Sequence, residues 1–229
     1  MIFDEKDFTL ENCCADISSI YDELSSLPEE KLSSFDKDAT KLCIVDVING
    51  FIKFGALADA SISPIIANIN SLARKMSEKG FGIVSFFDNH QSDSPEFESF
   101  PPHCLEGSAE ASIVDELKWL FGYENFLNLP KKSTNAFFDD KIRRITAGDE
   151  KISTFIVVGD CTDICVLQFA LAMKIFGNAS GRNIRVVVPV DCVDTYGAPS
   201  HSKELMNLTA LKIMKNSGVE IVKKINIAE

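Results

Sequence analysis

Short apolar runs alternate with stretches of helical periodicity along most of this chain, and that alternation restricts the fold it can adopt. The runs are apolar at consecutive positions and have the length of strands; they span residues 42–47, 82–87, 126–129, 155–158, 184–190 and 219–225. Helical spacing of apolar residues lies between them, at 62–76, 113–120, 140–145, 166–175 and 204–214. Strands that are apolar on both faces and alternate with helices predict a parallel sheet covered by helices on both sides.

Residues 1–40 differ from the rest of the chain. They are acidic and serine-rich, with modest helical spacing of Ile17, Ile20 and Leu24. We interpret them as an N-terminal helical arm packed on a single domain that spans residues 41–229. The longest stretch without periodicity, residues 89–112, predicts a long functional loop.

The charge balance and the cysteine content restrict which partners the protein can bind and in which cellular compartment it works. The chain carries 34 Asp+Glu against 23 Lys+Arg, a net charge of −11, so its surface repels nucleic-acid phosphates and anionic membrane surfaces. No apolar run approaches the roughly 20 residues of a membrane span, and the first residues lack a signal-peptide pattern. Seven cysteines without a CxxC pair indicate a reducing compartment. We expect a cytoplasmic enzyme or small-molecule binder, with no nucleic-acid and no membrane partner.

The carboxyl ends of the predicted strands carry polar and reactive side chains. Asp46, Asp88 and Lys131 stand at or just after the first three runs, and Cys161 and Asp191 follow the next two long ones. In an open parallel sheet, ligands bind beyond the carboxyl ends of the strands. The sequence therefore predicts a functional site at this edge of the sheet.

Cys165 lies in the segment GDCTDICV, where a strand gives way to a helix. A thiol in the first turn of a helix is close to the positive end of the helix dipole, which favours the thiolate. The backbone N–H groups of that turn can hold an oxyanion during acyl transfer. These features predict a nucleophile at Cys165. Cys161 is an alternative nucleophile, and a small buried apolar residue is the structural alternative for Cys165.

Asp46 ends an apolar run, and a buried carboxylate there needs a partner or a proton to transfer. Lys131 or Lys132 offers the partner, but neighbouring residues of an extended chain point in opposite directions, so only one lysine faces the site. A cysteine, a carboxylate base and a lysine form an activated-nucleophile set. A surface ion pair is the structural alternative for the carboxylate and the lysine.

Two of the three histidines fall in the loop that follows Asp88. His90 is two residues on, and His103 follows a stiff Pro-Pro pair, with Glu96 between them as a further carboxylate ligand. Aspartate with two histidines suits Zn²⁺, Mn²⁺ or Fe²⁺ with coordination positions left open. The loop therefore predicts a metal site, although solvated histidines are the alternative. His201 lies far along the chain, and we interpret it as structural or peripheral.

Five segments together resemble the successive signatures of the isochorismatase-like cysteine hydrolases and, within that superfamily, the nicotinamidases. They are LCIVDVINGF, SFFDNH, FPPHCLEGS, KKSTNAFF and GDCTDICV, and they occur in the family's order between about residues 42 and 222. The resemblance implies a three-layer α/β/α fold with a mostly parallel six-stranded sheet.

The resemblance also implies the roles of the reactive residues. Asp46, Lys131 and Cys165 match the family's catalytic triad, and the spacing from Lys131 to a following small pair and aromatic residue selects it over Lys132. The N–H groups of Cys161 and Cys165 then form the oxyanion hole.

A metal site and an aromatic ring pocket are implied in the same way. The residues that match the metal ligands of nicotinamidases are Asp88, His90 and His103, and some members add a glutamate at the position of Glu96. Phe51 and Phe100 match aromatic positions that line the ring pocket.

The chain departs from the family's pattern at two places. The turn before the nucleophile, where the family has a cis peptide, carries Asp160 and Cys161 in place of small apolar residues. Thr134 stands where an aromatic residue is expected. Both departures touch the pocket wall, so they bear on the substrate rather than on the type of reaction.

The expected reaction is hydrolysis of nicotinamide to nicotinate and ammonia through a thioester on the cysteine. The expected cofactor is one divalent metal ion, Zn²⁺ with Mn²⁺ or Fe²⁺ as alternatives, and no organic cofactor. The expected partner is a small carboxamide, and the sequence is compatible with a homo-oligomer as well as with a monomer. The alternatives are another amide or carbamoyl hydrolase of the same superfamily and a non-catalytic metal-binding scaffold. The vinyl-ether-cleaving isochorismatases fit less well because they typically lack both the cysteine and the metal ligands.

Overall fold

The computed structural model describes residues 9–228, and a six-stranded parallel sheet forms its centre. Numbered along the chain, the strands are β1 (Glu30–Lys31), β2 (Thr40–Val45), β3 (Gly82–Asp88), β4 (Phe126–Lys131), β5 (Thr154–Gly159), β6 (Arg185–Pro189), β7 (Glu220–Val222) and β8 (Ile225–Asn226). The large sheet has the order β4-β3-β2-β5-β6-β7, and every pairing in it is parallel. The predicted fold class is confirmed.

Within residues 9–228, six α-helices accompany the strands: α1 (Leu10–Ser25), α2 (Asn49–Ile52), α3 (Pro64–Glu78), α4 (Asp140–Ala147), α5 (Leu167–Ser180) and α6 (Lys203–Asn216). None of the helices in the described part of the chain is both long enough and apolar enough to span a membrane. The helix α3 begins with a proline at its first position, which needs no hydrogen bond there. The helix α5 ends at Gly181, whose left-handed conformation closes the last turn.

Strand β2 shows why the sheet is buried on both faces. Leu42 and Ile44 pack into the cluster that contains the buried face of α3, whereas Cys43 and Val45 pack into the cluster that contains α4, α5 and α6. Alternate residues of a strand point to opposite faces, so a run that is apolar at every position serves two layers. The result is the three-layer α/β/α arrangement.

Two predicted elements differ from the structure. The stretch predicted as a helix at 113–120 is a 3-10 helix, Asp115–Gly122, whose buried Leu117 and Leu120 are three residues apart and fit that tighter turn. The run predicted as one strand at 219–225 is divided into β7 and β8. The strand β8 leaves the large sheet and pairs with β1, because the backbone at Lys223 and Lys224 bonds to residues 28 and 30.

The segment predicted as an N-terminal arm contains α1, which packs on α6. The carboxylate of Glu23 contacts Lys212 at 2.5 Å and Lys215 at 2.8 Å, and Leu24 and Leu27 enter the apolar cluster beneath α6. Residues 1–8 of the predicted arm lie outside the described residues. The division of the chain at residue 40 stays a prediction.

Candidate active site

The sheet places three charged side chains next to one another at its carboxyl edge. Asp88 and Lys131 are paired residues at the ends of β3 and β4, and Asp46 directly follows β2, the neighbour of β3. Asp46 takes a left-handed backbone conformation with φ of 54°, and its N–H donates to the carbonyl of Phe86 at 2.9 Å. All three charged side chains are buried.

Lys131 stands at the centre of this group. Its ammonium lies 2.8 Å from Asp46 Oδ2 and 3.8 Å from the Sγ of Cys165, and it also donates to Asp88 Oδ1. Lys132 is exposed, as expected for the next residue of an extended chain. The structure therefore brings together the three residues predicted as the triad and leaves Lys132 outside.

Burial and the neighbouring charges set the protonation of the group. Burial raises the pKa of Asp46 to about 7, and the attraction of Lys131 opposes this rise. Burial alone lowers the pKa of Lys131, but Asp46 and Asp88 outweigh it and raise that pKa well above its ordinary value. The lysine is thus a permanent ammonium beside a carboxyl group that can exchange a proton near neutral pH.

The thiol of Cys165 differs from its prediction in two respects. It lies in a π-helical turn, Thr162–Val166, that precedes α5, rather than in the first turn of an α-helix. Burial raises the pKa of Cys165 well above its ordinary value, although Lys131 acts in the opposite direction. The expected thiolate is therefore wrong for the resting site, because desolvation outweighs the attraction of Lys131. The thiol needs a base to become a nucleophile.

The turn between β5 and the π-helical turn has the backbone form that the resemblance implied. The Asp160–Cys161 peptide bond is cis. The carbonyl of Cys161 accepts hydrogen bonds from the N–H groups of Ile164 and Val166, at 3.1 and 3.2 Å. Gly159 lies so close to β2 that a Cβ there would stand 1.9 Å from the carbonyl oxygen of Val45. The turn is therefore fixed tightly against the strand that leads to Asp46.

Asp88 and three side chains of the loop after β3 form a second group, which shares Asp88 with the first. One ligand atom from each of Asp88, His90, Glu96 and His103 lies within 4.8 Å of the others. The Nε2 atom of His90 is 3.5 Å from Asp88 Oδ1 and 3.6 Å from Glu96 Oε1, and the Nε2 atom of His103 is 3.4 Å from Asp88 Oδ2. The opposite nitrogen of each ring is occupied, by Ser94 Oγ at 3.4 Å for His90 and by the carbonyl of Pro101 at 2.8 Å for His103.

These four residues fit a divalent metal ion. Metal bonds of about 2.0–2.2 Å hold neighbouring ligand atoms roughly 3–3.5 Å apart, close to the separations found here. The Nε2 atom of His90 is buried and makes no hydrogen bond within the described part of the chain. A bond to a metal ion would satisfy this nitrogen without a hydrogen bond. Burial tends to raise the pKa of Asp88, but Lys131, His103 and His90 together lower it well below its ordinary value. Asp88 is therefore an anion that belongs both to the group around Lys131 and to the four possible metal ligands.

A cavity of about 410 Å³ opens onto the thiol and the possible metal ligands. The residues that line it include some that were singled out in the sequence: Phe51, Asp88, Glu96, Phe100, His103, Thr134, Cys161 and Cys165. Asp46 and Lys131 are not among the lining residues of this cavity, His90 lines a separate cleft, and Asp191 lines two others. The cavity is large enough for an aromatic ring with a carboxamide group.

Several lining residues were not predicted. They are Ala56, Leu57, Ala58, Asp59, Ile164, Tyr196 and Gly197. The segment 194–197 follows the carboxyl end of β6, where the strand-end reasoning selected Asp191 and missed Tyr196. The segment 56–59 follows the short helix α2 and carries no pattern that marks a site.

Comparisons with known proteins show which family and which fold the chain matches. Residues 40–222 match the model of the isochorismatase domain. Nicotinamidase 1 of Arabidopsis thaliana is 30% identical over 251 residues, which cover 93% of this chain and 98% of that protein. The crystal structure of nicotinamidase PncA from Bacillus subtilis is 25% identical with a TM-score of 0.66, and covers 80% of this chain and 99% of its own. The pyrazinamidase of Pyrococcus horikoshii in complex with zinc has the same identity and TM-score, with coverage of 81% and 99%.

Proposed function

This chain belongs to the isochorismatase domain family, and from that premise we propose that it is a metal-containing cysteine amidohydrolase that converts nicotinamide and water to nicotinate and ammonia. One observation carries the proposal: the ammonium of Lys131 contacts the thiol of Cys165 and also the carboxylate of Asp88, which belongs to the four-residue metal-type cluster. A nucleophile and a site for a ring nitrogen therefore share one cavity. The similarity to a nicotinamidase over nearly the whole chain supports the choice of substrate.

Asp46 is the base that the thiol needs. Its raised pKa, about 7, lets it accept the Cys165 proton and return it near neutral pH. The ammonium of Lys131, between the carboxylate and the sulfur, stabilises the thiolate as it forms. The thiolate then attacks the carboxamide carbon, and the carbonyl oxygen gains a negative charge.

The turn of residues 161–165 stabilises this negative charge in our proposal. The N–H groups of Cys161 and Cys165 donate to the oxyanion of the tetrahedral intermediate. Asp46 then gives its proton to the leaving nitrogen, and ammonia departs as the thioester forms. Asp46 then takes a proton from water, and the hydroxide attacks the thioester carbon. The carbon–sulfur bond breaks as Asp46 returns that proton to the sulfur, and the carboxylic acid product ionises as it leaves.

The metal-type cluster binds the other end of the substrate in this proposal. Asp88, His90, Glu96 and His103 would hold the ion, and Zn²⁺ is our choice because a zinc-bound pyrazinamidase has the same fold. When bound, the ion supplies a coordination position for the pyridine nitrogen and orders water. The ring of Phe51 lies 5.6 Å and that of Phe100 6.2 Å from the ring of His103, so both pack beside the substrate ring.

A second candidate substrate class is supported by Thr134. Its hydroxyl donates to Gln168 Oε1 at 2.9 Å and lines the cavity at the position where the resemblance implies an aromatic residue. A polar wall of this kind suits an amide or carbamoyl compound with a further hydrogen-bonding group. The same triad would hydrolyse it.

The cellular compartment in this proposal is the cytoplasm, where the seven cysteines of the protein, all free, remain reduced.

The test is ammonia release from nicotinamide, benzamide and an N-carbamoyl amino acid, with the metal content measured on the same sample. We expect nicotinamide to be hydrolysed fastest. Cys165→Ala should lower kcat at least 1000-fold, whereas Cys161→Ala, which keeps the backbone N–H, should stay within tenfold of the wild type. Faster hydrolysis of the carbamoyl compound would establish the second candidate. No ammonia from any of the three would leave a non-catalytic metal-binding protein.

A further inference from the structure

His201 links two segments that border the catalytic cavity. Its Nε2 atom lies 2.8 Å from Asp163 Oδ2, and its Nδ1 atom lies 3.0 Å from the carbonyl oxygen of Tyr196. Both neighbouring oxygens accept hydrogen bonds, so each can take one from the ring nitrogen that faces it when that nitrogen carries a proton. A histidine predicted to be structural or peripheral therefore makes two directed contacts next to the cavity.

The imidazole also supports the ring of Tyr196. The two rings are stacked, with centroids 3.9 Å apart and planes within 5° of parallel. Tyr196 and the following Gly197 both line the cavity. His201 therefore contacts Tyr196 twice, at one face of its ring and at its backbone carbonyl.

The other partner of His201 belongs to the nucleophile's turn. Asp163 lies between Cys161 and Cys165, and its second oxygen accepts a hydrogen bond from Thr195 Oγ1 at 2.6 Å. Thr195 therefore still holds Asp163 when the histidine is removed. The hydrogen bonds from residues 164 and 166 to the Cys161 carbonyl also remain. The position of Tyr196 therefore depends more strongly on His201 than the position of the turn at residues 161–165 does.

We infer that His201 is a positioning residue that fixes Tyr196 as a wall of the cavity and so sets the affinity for the aromatic ring of the substrate. This inference rests on the proposed function, because it concerns the ring end of the same substrate. Asp46 and Lys131 stand at the ends of β2 and β4, and Cys165 lies in the turn after β5. None of the triad contacts described above involves His201. Loss of the histidine should weaken substrate binding more than it slows the reaction of bound substrate.

The test compares kcat and KM for nicotinamide in three variants. His201→Ala should raise KM about tenfold, the loss that a charge-assisted hydrogen bond predicts, and should keep kcat within threefold. Tyr196→Leu should raise KM to a similar extent. The double variant should add little to either, because the two residues act as one unit. His201→Gln, which keeps an N–H donor toward Asp163 but cannot stack, should fall between the wild type and His201→Ala.

Ser202→Ala is the matched control for a structural role. Ser202 caps α6 through a contact with the N–H of Leu205 at 3.4 Å, so its loss should lower the melting temperature and leave KM unchanged. The inference is overturned if the His201 variants show the wild-type KM, or if they lose kcat alone. Should His201→Ala not fold, His201→Gln decides by the same criterion. If the wild type does not hydrolyse nicotinamide, the proposed function fails, and the His201 variants are then tested with the carboxamide that the wild type does hydrolyse. A wild type that hydrolyses no carboxamide overturns both the proposed function and the inference about His201.

Discussion

Asp88 and Lys131 are register partners at the ends of two neighbouring parallel strands, and the ammonium of Lys131 donates to the Asp88 carboxylate. The same ammonium lies 2.8 Å from Asp46, so one buried cation stands between two buried carboxylates. Breaking a buried ion pair by removing one partner leaves an uncompensated charge and costs about 3–5 kcal/mol. Lys131 therefore has a structural role as well as the catalytic one that we propose.

Lys131→Met should lower kcat for carboxamide hydrolysis at least 100-fold and lower the melting temperature. The substitution keeps the apolar stem of the side chain but removes the charge that stabilises the thiolate and the two carboxylates. Lys132→Met is the matched control, because this neighbouring side chain is exposed, and it should change kcat less than twofold. Kinetics and thermal denaturation measure the two effects. A large loss of activity in the Lys132 variant with an active Lys131 variant would show that the other lysine faces the triad.

His90→Ala and His103→Ala should each lose bound zinc, because each removes a nitrogen from the four-residue cluster. The third histidine provides the control: His201→Ala should retain the full metal content. Elemental analysis after zinc supplementation and desalting measures this. Wild-type protein should also bind nicotinamide more tightly than benzamide, which lacks the ring nitrogen, and this preference should shrink in the two cluster variants. A wild type without metal, or an unchanged preference, would point to a metal-independent amidase.

The sheet and the charged residues at its edge were predictable because both depend on local patterns. Consecutive apolar residues mark strands that are buried on two faces, and such strands end at a common edge, which placed Asp46, Asp88 and Lys131 together. The division of the last predicted strand was not predictable. It depends on hydrogen bonds between residues 28–30 and 223–224, which are distant in the sequence.

The state of the nucleophile was not predictable for a similar reason. The helix dipole acts on Cys165 through its own segment, but the desolvation that raises the pKa of the thiol comes from the whole fold around it. The role that we infer for His201 depends on Asp163, 38 residues away. A single sequence carries no pattern for such a contact, because side chains from separate loops meet only after the sheet has formed.

Gly159→Ala should destabilise the protein by more than about 3 kcal/mol, the range of severe steric and backbone effects. Its φ of +121° is unfavourable for residues with a side chain, and the new Cβ would stand 1.9 Å from the carbonyl oxygen of Val45. Gly107→Ala is the control, since Gly107 has a φ of +75° but no atom within 4 Å of an added Cβ. It should cost only about 1 kcal/mol, from the backbone conformation alone. Urea denaturation compares the two, and equal losses would contradict the close packing of the turn against β2.

Glu23→Gln should weaken the attachment of α1 in a manner that depends on pH. Hydrogen bonds to Lys212 and then to Lys215 lower the pKa of Glu23 from 4.5 to about 2. A carboxyl group whose pKa is lower in the folded state stabilises that state above the unfolded pKa, here about 4.5, and loses its contribution as the pH falls through about 2. The variant should therefore melt slightly below the wild type at pH 7, because partly exposed ion pairs contribute little, and the difference should shrink between pH 4.5 and 2. Asp22→Asn, at the exposed neighbouring position, should melt like the wild type at every pH. A difference for Glu23→Gln that persists at pH 2 would contradict the proposed stabilisation by the two lysines.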